Sequence, residues 1–458
     1  MNKETKNMTD ESTGLKRELG LAAATAIVVG NMIGSGIFMA PQGLASASNP
    51  KATIIAWIIT SIGSILLALS FAKMGVAMPK TGGPIVYTRA AFGEFAAFLI
   101  AWTYWIGAWV GNAAIITGFM SYLTYFFPVF GTNRLLAFLM SSLILWIFTY
   151  INVKGVKEAG IVGIVTTVCK MLPLIIFAII AAMHFNGGNF GTVSSKEVSG
   201  MGTISAAVGI TLWSFIGLES ATIPAGEIKN PERNIKLSTI YGTIITAIIY
   251  ILISVLAIGA MPQDKLAASS APLADIINFA TGGTWGGTLI ALGAVISTLG
   301  ATSGWILITA RSSFAAAHDG LFPRIFGRVH PKFKTPDASL IIAGVCANIL
   351  LIMNYVGTLT AAFNFMLLLA TLAFLPAYSF TAAAEIVLLR KQSADFNFWN
   401  FLKNSFLALV AFAYSVYAIY GTGAEVVMYG FILMLIGIPF YVYMKLQNRD
   451  GKGFGQSV

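Results

Sequence analysis

The chain has 458 residues, 57% hydrophobic and 10% charged, with a mean hydropathy of +0.80 and a formal net charge of 28 − 18 = +10. A soluble domain carries about 25% charged residues, so polar groups cannot cover this surface and a soluble globular protein is excluded. Two cysteines and three scattered histidines give no disulfide scaffold, zinc spacing or haem site, and no Walker, GxGxxG or GxSxG pattern stands in a context that would support an enzyme.

Residues 1–19 open with MNKETKNMTDESTGLKRE, a polar cytoplasmic tail without the apolar core and cleavage site of a signal peptide. Apolar runs of about 20 residues, enough to cross a bilayer core of about 30 Å, then recur. Backbone amides in lipid must pair internally, so runs rich in Leu, Ile, Ala and Gly read as helices rather than barrel strands. Twelve spans are predicted, near 20–46, 53–77, 94–126, 133–151, 159–183, 203–228, 237–260, 284–314, 338–356, 358–388, 403–420 and 424–444. No soluble domain fits between them. The all-α reading makes Cys169 and Cys346 packing residues within spans.

The charge reads as topology, not as nucleic-acid binding. With the N-terminus in the cytoplasm, 23 Lys and Arg fall inside, against Lys51, Arg134, Lys196 and Lys265 outside and Lys170 within a span. That asymmetry supports an even number of spans with both termini cytoplasmic. Short external loops suit a bacterial inner (cell) membrane.

Two spans are weakened by glycine. Span 1 carries GNMIGSGIF (30–38), with Pro41 expected to end its run, and span 6 carries TLWSFIGLESA (211–221). They lie five spans apart and so cross in opposite directions, as an inverted-topology repeat requires. The repeats would be 20–183 and 203–388, with 401–445 added and 446–458 a second cytoplasmic tail. In such repeats broken helices meet near the midplane, offering free N–H groups to a carboxylate and carbonyls to an ammonium. Close packing through small residues is the competing explanation. The cluster Gly34–Ser35–Gly36 and the second interruption in span 6 argue for a substrate site.

Some single residues carry chemistry of their own. Glu219 is an acid well inside a span, costly there and functional by default. An aromatic face such as that of Trp305 attracts a guanidinium or ammonium, worth about 2 kcal/mol in a dry site. A neutral side chain would pack there as well. Asn112 can bond across helices or to a ligand.

Taken together, GNMIGSGIF, YWIGAWVGN (104–112), LWSFIGLESA followed by EIKNPERNI (227–235), and GWILITARSSFAAAHDGLFPRIF (304–326) resemble the amino acid–polyamine–organocation transporter superfamily. Within it the chain looks most like the basic amino acid/polyamine antiporters, the arginine–agmatine and ornithine–putrescine exchangers. The likeness runs from about residue 15 to 445. It implies the LeuT-like 5+5 inverted repeat, discontinuous helices 1 and 6, and two peripheral spans. By the same resemblance Gly34, Ser35 and Gly36 hold the substrate α-carboxylate, and Ile33 beside them is a further substrate-binding residue. Trp213, Ser214 and Ile216 line the break in span 6, Trp305 covers the side chain, and Asn112 meets its polar head, with Gly107 and Ala108 leaving room. Tyr104 resembles a gating tyrosine, and Glu219 a gate or proton-responsive group.

Two departures stand out. Lys170 replaces an apolar residue of the arginine–agmatine type. It looks like the span-5 lysine of neutral amino acid exchangers and proton-coupled permeases, near the place where sodium-coupled relatives hold a sodium ion between spans 1 and 8. Ser297 and Thr302 are its expected hydroxyl neighbours, pH sensitivity is expected and sodium dependence is not. In span 10, LLLATLAFLPAYSF (367–380) has Ala377 where a tyrosine is usual.

The expected function is secondary active transport by alternating access: an antiporter exchanging a cationic amino acid for a related amino acid or its decarboxylated amine. The alternative is a proton-coupled or exchange permease for neutral amino acids, which Lys170 and the apolar span 10 favour. The expected partners are small amino acids or amines, protons and the lipid bilayer, with a homodimer compatible. No nucleic acid, metal or cofactor is expected.

Overall fold

Each predicted span contains helix in the computed structural model, which describes residues 19–191, 201–352, 358–392 and 397–449, and their side chains except at 156–168, 201, 202, 227, 389–392 and 447–449. In chain order the helices are α1 (Leu21–Met32), α2 (Ser35–Ala47), α3 (Pro50–Ala77), α4 (Pro84–Phe92), α5 (Glu94–Phe126), α6 (Val129–Thr132), α7 (Arg134–Lys154) and α8 (Val156–Met183). They continue as α9 (Met201–Trp213), α10 (Pro231–Ala260), α11 (Gln263–Ala267), α12 (Pro272–Thr281), α13 (Trp285–His318), α14 (Asp337–Leu350), α15 (Leu359–Gln392), α16 (Phe398–Gly421) and α17 (Ala424–Arg449). Among the described residues nine helices are long and apolar enough to cross a membrane, counting α1 with α2 as one. Shorter apolar stretches at Cys169–Met183, Thr203–Trp213 and Asp337–Leu350 occupy the other predicted runs.

Helix starts follow local chemistry. Asn49 accepts from the Ala52 amide at 2.9 Å ahead of Pro50, and Asn133 from the Leu136 amide at 3.1 Å. Each cap satisfies an amide that the first turn leaves without a helical partner. The bundle packs in two overlapping groups: α10 lies against α1 and α3, while α5 lies against α13 and α15. Large apolar side chains on α16 and α17 face outward, as a lipid-facing surface would have them.

The two broken spans differ from each other. In span 1 the α-helix stops at Met32, passes through Ile33 (ψ 82°) and Gly34 (φ −117°, ψ −130°), and restarts at Ser35. Pro41 does not end this run: it lies inside α2, which continues to Ala47. A membrane helix tolerates the one backbone bond that proline removes when neighbouring helices surround it, and Pro41 is buried. In span 6 only the first half is α-helical. Beyond Trp213 the chain runs as short turns, with bonds such as Phe215 N to Leu212 O (2.8 Å) and Thr222 N to Glu219 O (2.7 Å). Gly217 sits there at φ +112°, where L side chains are strained. A Cβ on it would also meet the Asn31 carbonyl carbon at 3.2 Å. The carboxylate of Glu219 accepts the Gly217 amide at 3.1 Å, so a side chain takes a donor that a continuing helix would use.

Candidate substrate site at the broken helices

A helix ending inside a membrane exposes its last carbonyls where no water reaches them. The end of α1 meets this need with side chains from three other helices. Lys170 Nζ on α8 donates to Gly30 O at 2.7 Å and Ile33 O at 2.5 Å. Trp305 Nε1 on α13 donates to Asn31 O at 3.1 Å, and the Tyr250 hydroxyl on α10 to Met32 O at 2.5 Å. Ser297 Oγ also approaches Ile33 O at 3.5 Å. Thr302 does not join this set: its hydroxyl bonds Thr298 O one turn back in its own helix, at 2.9 Å. Lys170 is 1% exposed, and its ammonium lies at the negative end of the α1 dipole. Cys169, its neighbour, is exposed and not a packing residue.

Beside this helix end lies a small cavity lined by Asn31, Met32, Gly34, Ser35, Gly36, Ile115, Trp213, Ile216 and Trp305. Six of these were picked out from sequence: Gly34, Ser35, Gly36, Trp213, Ile216 and Trp305. Gly36 permits close approach of the two breaks, since a Cβ there would stand 2.8 Å from Ser214 Oγ. Ser35 Oγ and Ser214 Oγ are both buried with no protein partner. Asn112 donates to Thr309 Oγ1 at 3.1 Å, while its Oδ1 is buried and unpartnered. Buried polar atoms are nearly always bonded, so an unpartnered one is a point that a polar ligand can satisfy. Of these three residues Ser35 alone lines the cavity; Ser214 stands at the second break and Asn112 on α5, and neither is part of the lining.

Ile33 and Ala108 are buried. Ile33 contributes its carbonyl to Lys170, and neither residue lines the cavity. Gly107 faces a different task from the one expected. A Cβ on it would meet the Phe374 ring at 3.0 Å, so this glycine makes room for that ring. Phe374 in turn stands edge-on to Tyr104 at 4.8 Å and to Trp305 at 5.4 Å between centroids. Gly111 likewise leaves space for Trp213.

Outside the residues that line the cavity, a single buried carboxylate gathers two tyrosines. Glu219 is fully buried and accepts from Tyr104 at 2.9 Å and from Tyr378 at 2.6 Å, besides the Gly217 amide. Tyr104 and Glu219, both expected at a gate, are thus in contact, and Tyr378, which no sequence motif marks, completes the group. Its hydroxyl is supplied one position after Ala377 on α15. Elsewhere in the bundle, the Tyr122 hydroxyl donates to Phe38 O at 2.8 Å and accepts from Leu273 N at 3.1 Å, tying α2 and α5 to α12. Asn31 was also missed, although it lies in the quoted motif. Its Nδ2 donates to Ser220 Oγ at 3.0 Å, joining the two breaks. Lys229 in the following segment is exposed, and so are Glu232 and Arg233, which the structure places in the first turn of α10 rather than in a loop; the Glu227 side chain lies outside the described residues.

Long apolar helices around a broken, polar-lined centre define a multi-pass membrane protein built to bind a small polar ligand. The chain belongs to the amino acid permease family, whose model matches residues 19–444. It is thus a transporter and not an enzyme. It is 31% identical to an arginine/agmatine antiporter of Chlamydia felis, over 98% of this chain and 94% of the relative. It is 34% identical to an arginine/ornithine antiporter of Latilactobacillus sakei, over 96% and 93%. An arginine/ornithine antiporter of Pseudomonas aeruginosa is 32% identical over 96% and 92%.

Proposed function

We propose that this permease exchanges arginine for a related cation, ornithine or the decarboxylated amine agmatine, by alternating access. The observation that carries this is a set of buried, unpartnered polar atoms: Ser35 Oγ and Ser214 Oγ at the two breaks, and Asn112 Oδ1 on α5. In this reading Ser35 and the first-turn amides of α2 receive the α-carboxylate, which a helix N-terminus favours. Asn112 Oδ1 accepts from the guanidinium or ammonium. Trp305 and Trp213 supply aromatic faces to the cation. Glu219 already accepts three donors, so it serves the gate rather than the substrate. The relatives that are named as arginine exchangers support a cationic substrate, and the neutral-substrate alternative is not favoured.

The accompanying topology is twelve crossings with both termini in the cytoplasm of a cell-membrane protein. Two inverted repeats, 20–183 and 203–388, precede two peripheral helices. Lys170 occupies with its ammonium the carbonyl cradle where a coupling cation would otherwise sit, so the cycle runs without sodium, and Lys170 and Glu219 carry any proton linkage. Counterflow tests the proposal. Proteoliposomes loaded with unlabelled arginine, ornithine or agmatine are expected to take up labelled arginine, and empty ones are not. Equal uptake by empty liposomes under a pH gradient would exclude exchange, and uptake of alanine but not arginine would exclude the cationic substrate.

A further inference from the structure

Beyond Glu219, toward the end of the bundle that holds the start of α1, a second acid is buried in α15. Glu385 is 3% exposed and receives Lys73 Nζ of α3 at 2.6 Å. The two helices pack directly on each other. Tyr378 and Glu385 are seven residues apart on α15, two turns and roughly 10 Å along one face. The Tyr378 ring stands edge-on to Phe71 of α3, at 5.4 Å between centroids. The α3–α15 seam is thus held at two levels. At one, Tyr378 touches Phe71 and bonds Glu219; at the other, Lys73 pairs with Glu385.

The two ions are not equally placed. Lys73 is 49% exposed and can be solvated without its partner, whereas Glu385 cannot. Separating the pair with the seam dry would strand a buried carboxylate. The pair parts at low cost only if water enters the seam, which is what opening this end of the transporter would bring.

Resting on the exchange reading above, we propose that Lys73 and Glu385 form a clasp in series with the Glu219–Tyr378 latch. It holds α3 to α15 while this end is closed and parts whenever substrate passes through it. Both act as positioning residues, since neither reaches the cavity. Because Lys73 is half exposed, neutralising the acid is expected to shift the open–closed balance about two- to fivefold, the range of a partly solvated ion pair.

The test measures the seam directly. Spin labels are placed at Ala77→Cys and Leu388→Cys, on a background of Cys169→Ser and Cys346→Ser, in lipid vesicles. With the native pair, a short-distance population dominates. Glu385→Gln is expected to enlarge a longer-distance population, and Lys73→Glu with Glu385→Lys to restore the short one. If Glu385→Gln folds poorly, Lys73→Gln leaves the buried carboxylate without its cation, and it too should lengthen the distances. Distributions unmoved by Glu385→Gln or by Lys73→Gln overturn the clasp. In proteoliposomes the KM for external arginine should change about two- to fivefold in Glu385→Gln and return in the swap. Distances that respond in a protein exchanging no arginine would retain the clasp and discard the substrate reading.

Discussion

The indole N–H of Trp305 donates to the carbonyl oxygen of Asn31 at 3.1 Å, so the aromatic side chain expected above the substrate is tied to the backbone of the broken helix beside it. This bond fixes the ring on a cavity wall and satisfies a carbonyl that the end of α1 would otherwise leave bare. Trp305→Ala removes both contributions and is expected to weaken arginine binding by about 2 kcal/mol, or ~30-fold. Trp305→Phe keeps a smaller ring without the N–H and should lose less. Equilibrium binding in detergent checks the order, and wild-type affinity in Trp305→Ala would end the role assigned to this ring.

The unpartnered hydroxyls of Ser35 and Ser214 separate binding from folding. Neither makes a protein hydrogen bond, so Ser35→Ala and Ser214→Ala should leave the melting temperature nearly unchanged. If the hydroxyls bond substrate, each loss should cost about 0.5–1.5 kcal/mol of affinity. A drop in stability with intact binding would make them structural.

Lys170 donates to two carbonyls from a buried site, and Lys170→Ala leaves both Gly30 O and Ile33 O without that donor. About 1–3 kcal/mol of destabilisation is expected for each acceptor so stranded. The variant should also change the pH profile of exchange. An unaltered profile at undiminished rate would remove any proton-linked role. Replacing sodium by choline is expected to leave wild-type exchange unchanged.

Tyr378 and Tyr104 close on opposite oxygens of Glu219. Hydrogen bonds to a carboxylate contribute about 1.5–3 kcal/mol, so Tyr378→Phe should loosen the latch and lower the turnover number more than the affinity. Tyr104→Phe should act in the same direction. Initial exchange rates across a range of arginine concentrations distinguish the two parameters, and a pure KM effect would place these residues in substrate binding instead.

Gly217 has φ +112° and stands against the backbone of Asn31. Gly217→Ala is expected to cost about 1–3 kcal/mol through backbone strain and to part the two breaks. A thermal melt reads the first effect and arginine binding the second.

Much of the site was legible because it is local. GSG after an apolar run marks a helix interruption, whatever surrounds it, and Gly34, Ser35 and Gly36 do line the cavity. Trp213, Ile216 and Trp305 were legible through motif resemblance. Gly107 was misjudged because the space left by a missing Cβ can be filled from any direction. Here the Phe374 ring of another helix takes it. Tyr378 was missed for a similar reason. Ala377 stands where a tyrosine is usual, yet the next residue on α15 brings its hydroxyl to Glu219.

By itself the sequence determined the membrane environment, the places of the helices and the interruption of span 1. These follow from hydropathy and backbone preference summed over windows of about 20 residues. The donors that satisfy the end of α1 were decided only by tertiary structure. Lys170, Tyr250 and Trp305 lie between 137 and 274 residues from the carbonyls they reach, on three separate helices. Their convergence depends on how each helix is rotated and how far it is shifted along its axis, and no local pattern of residues encodes either quantity.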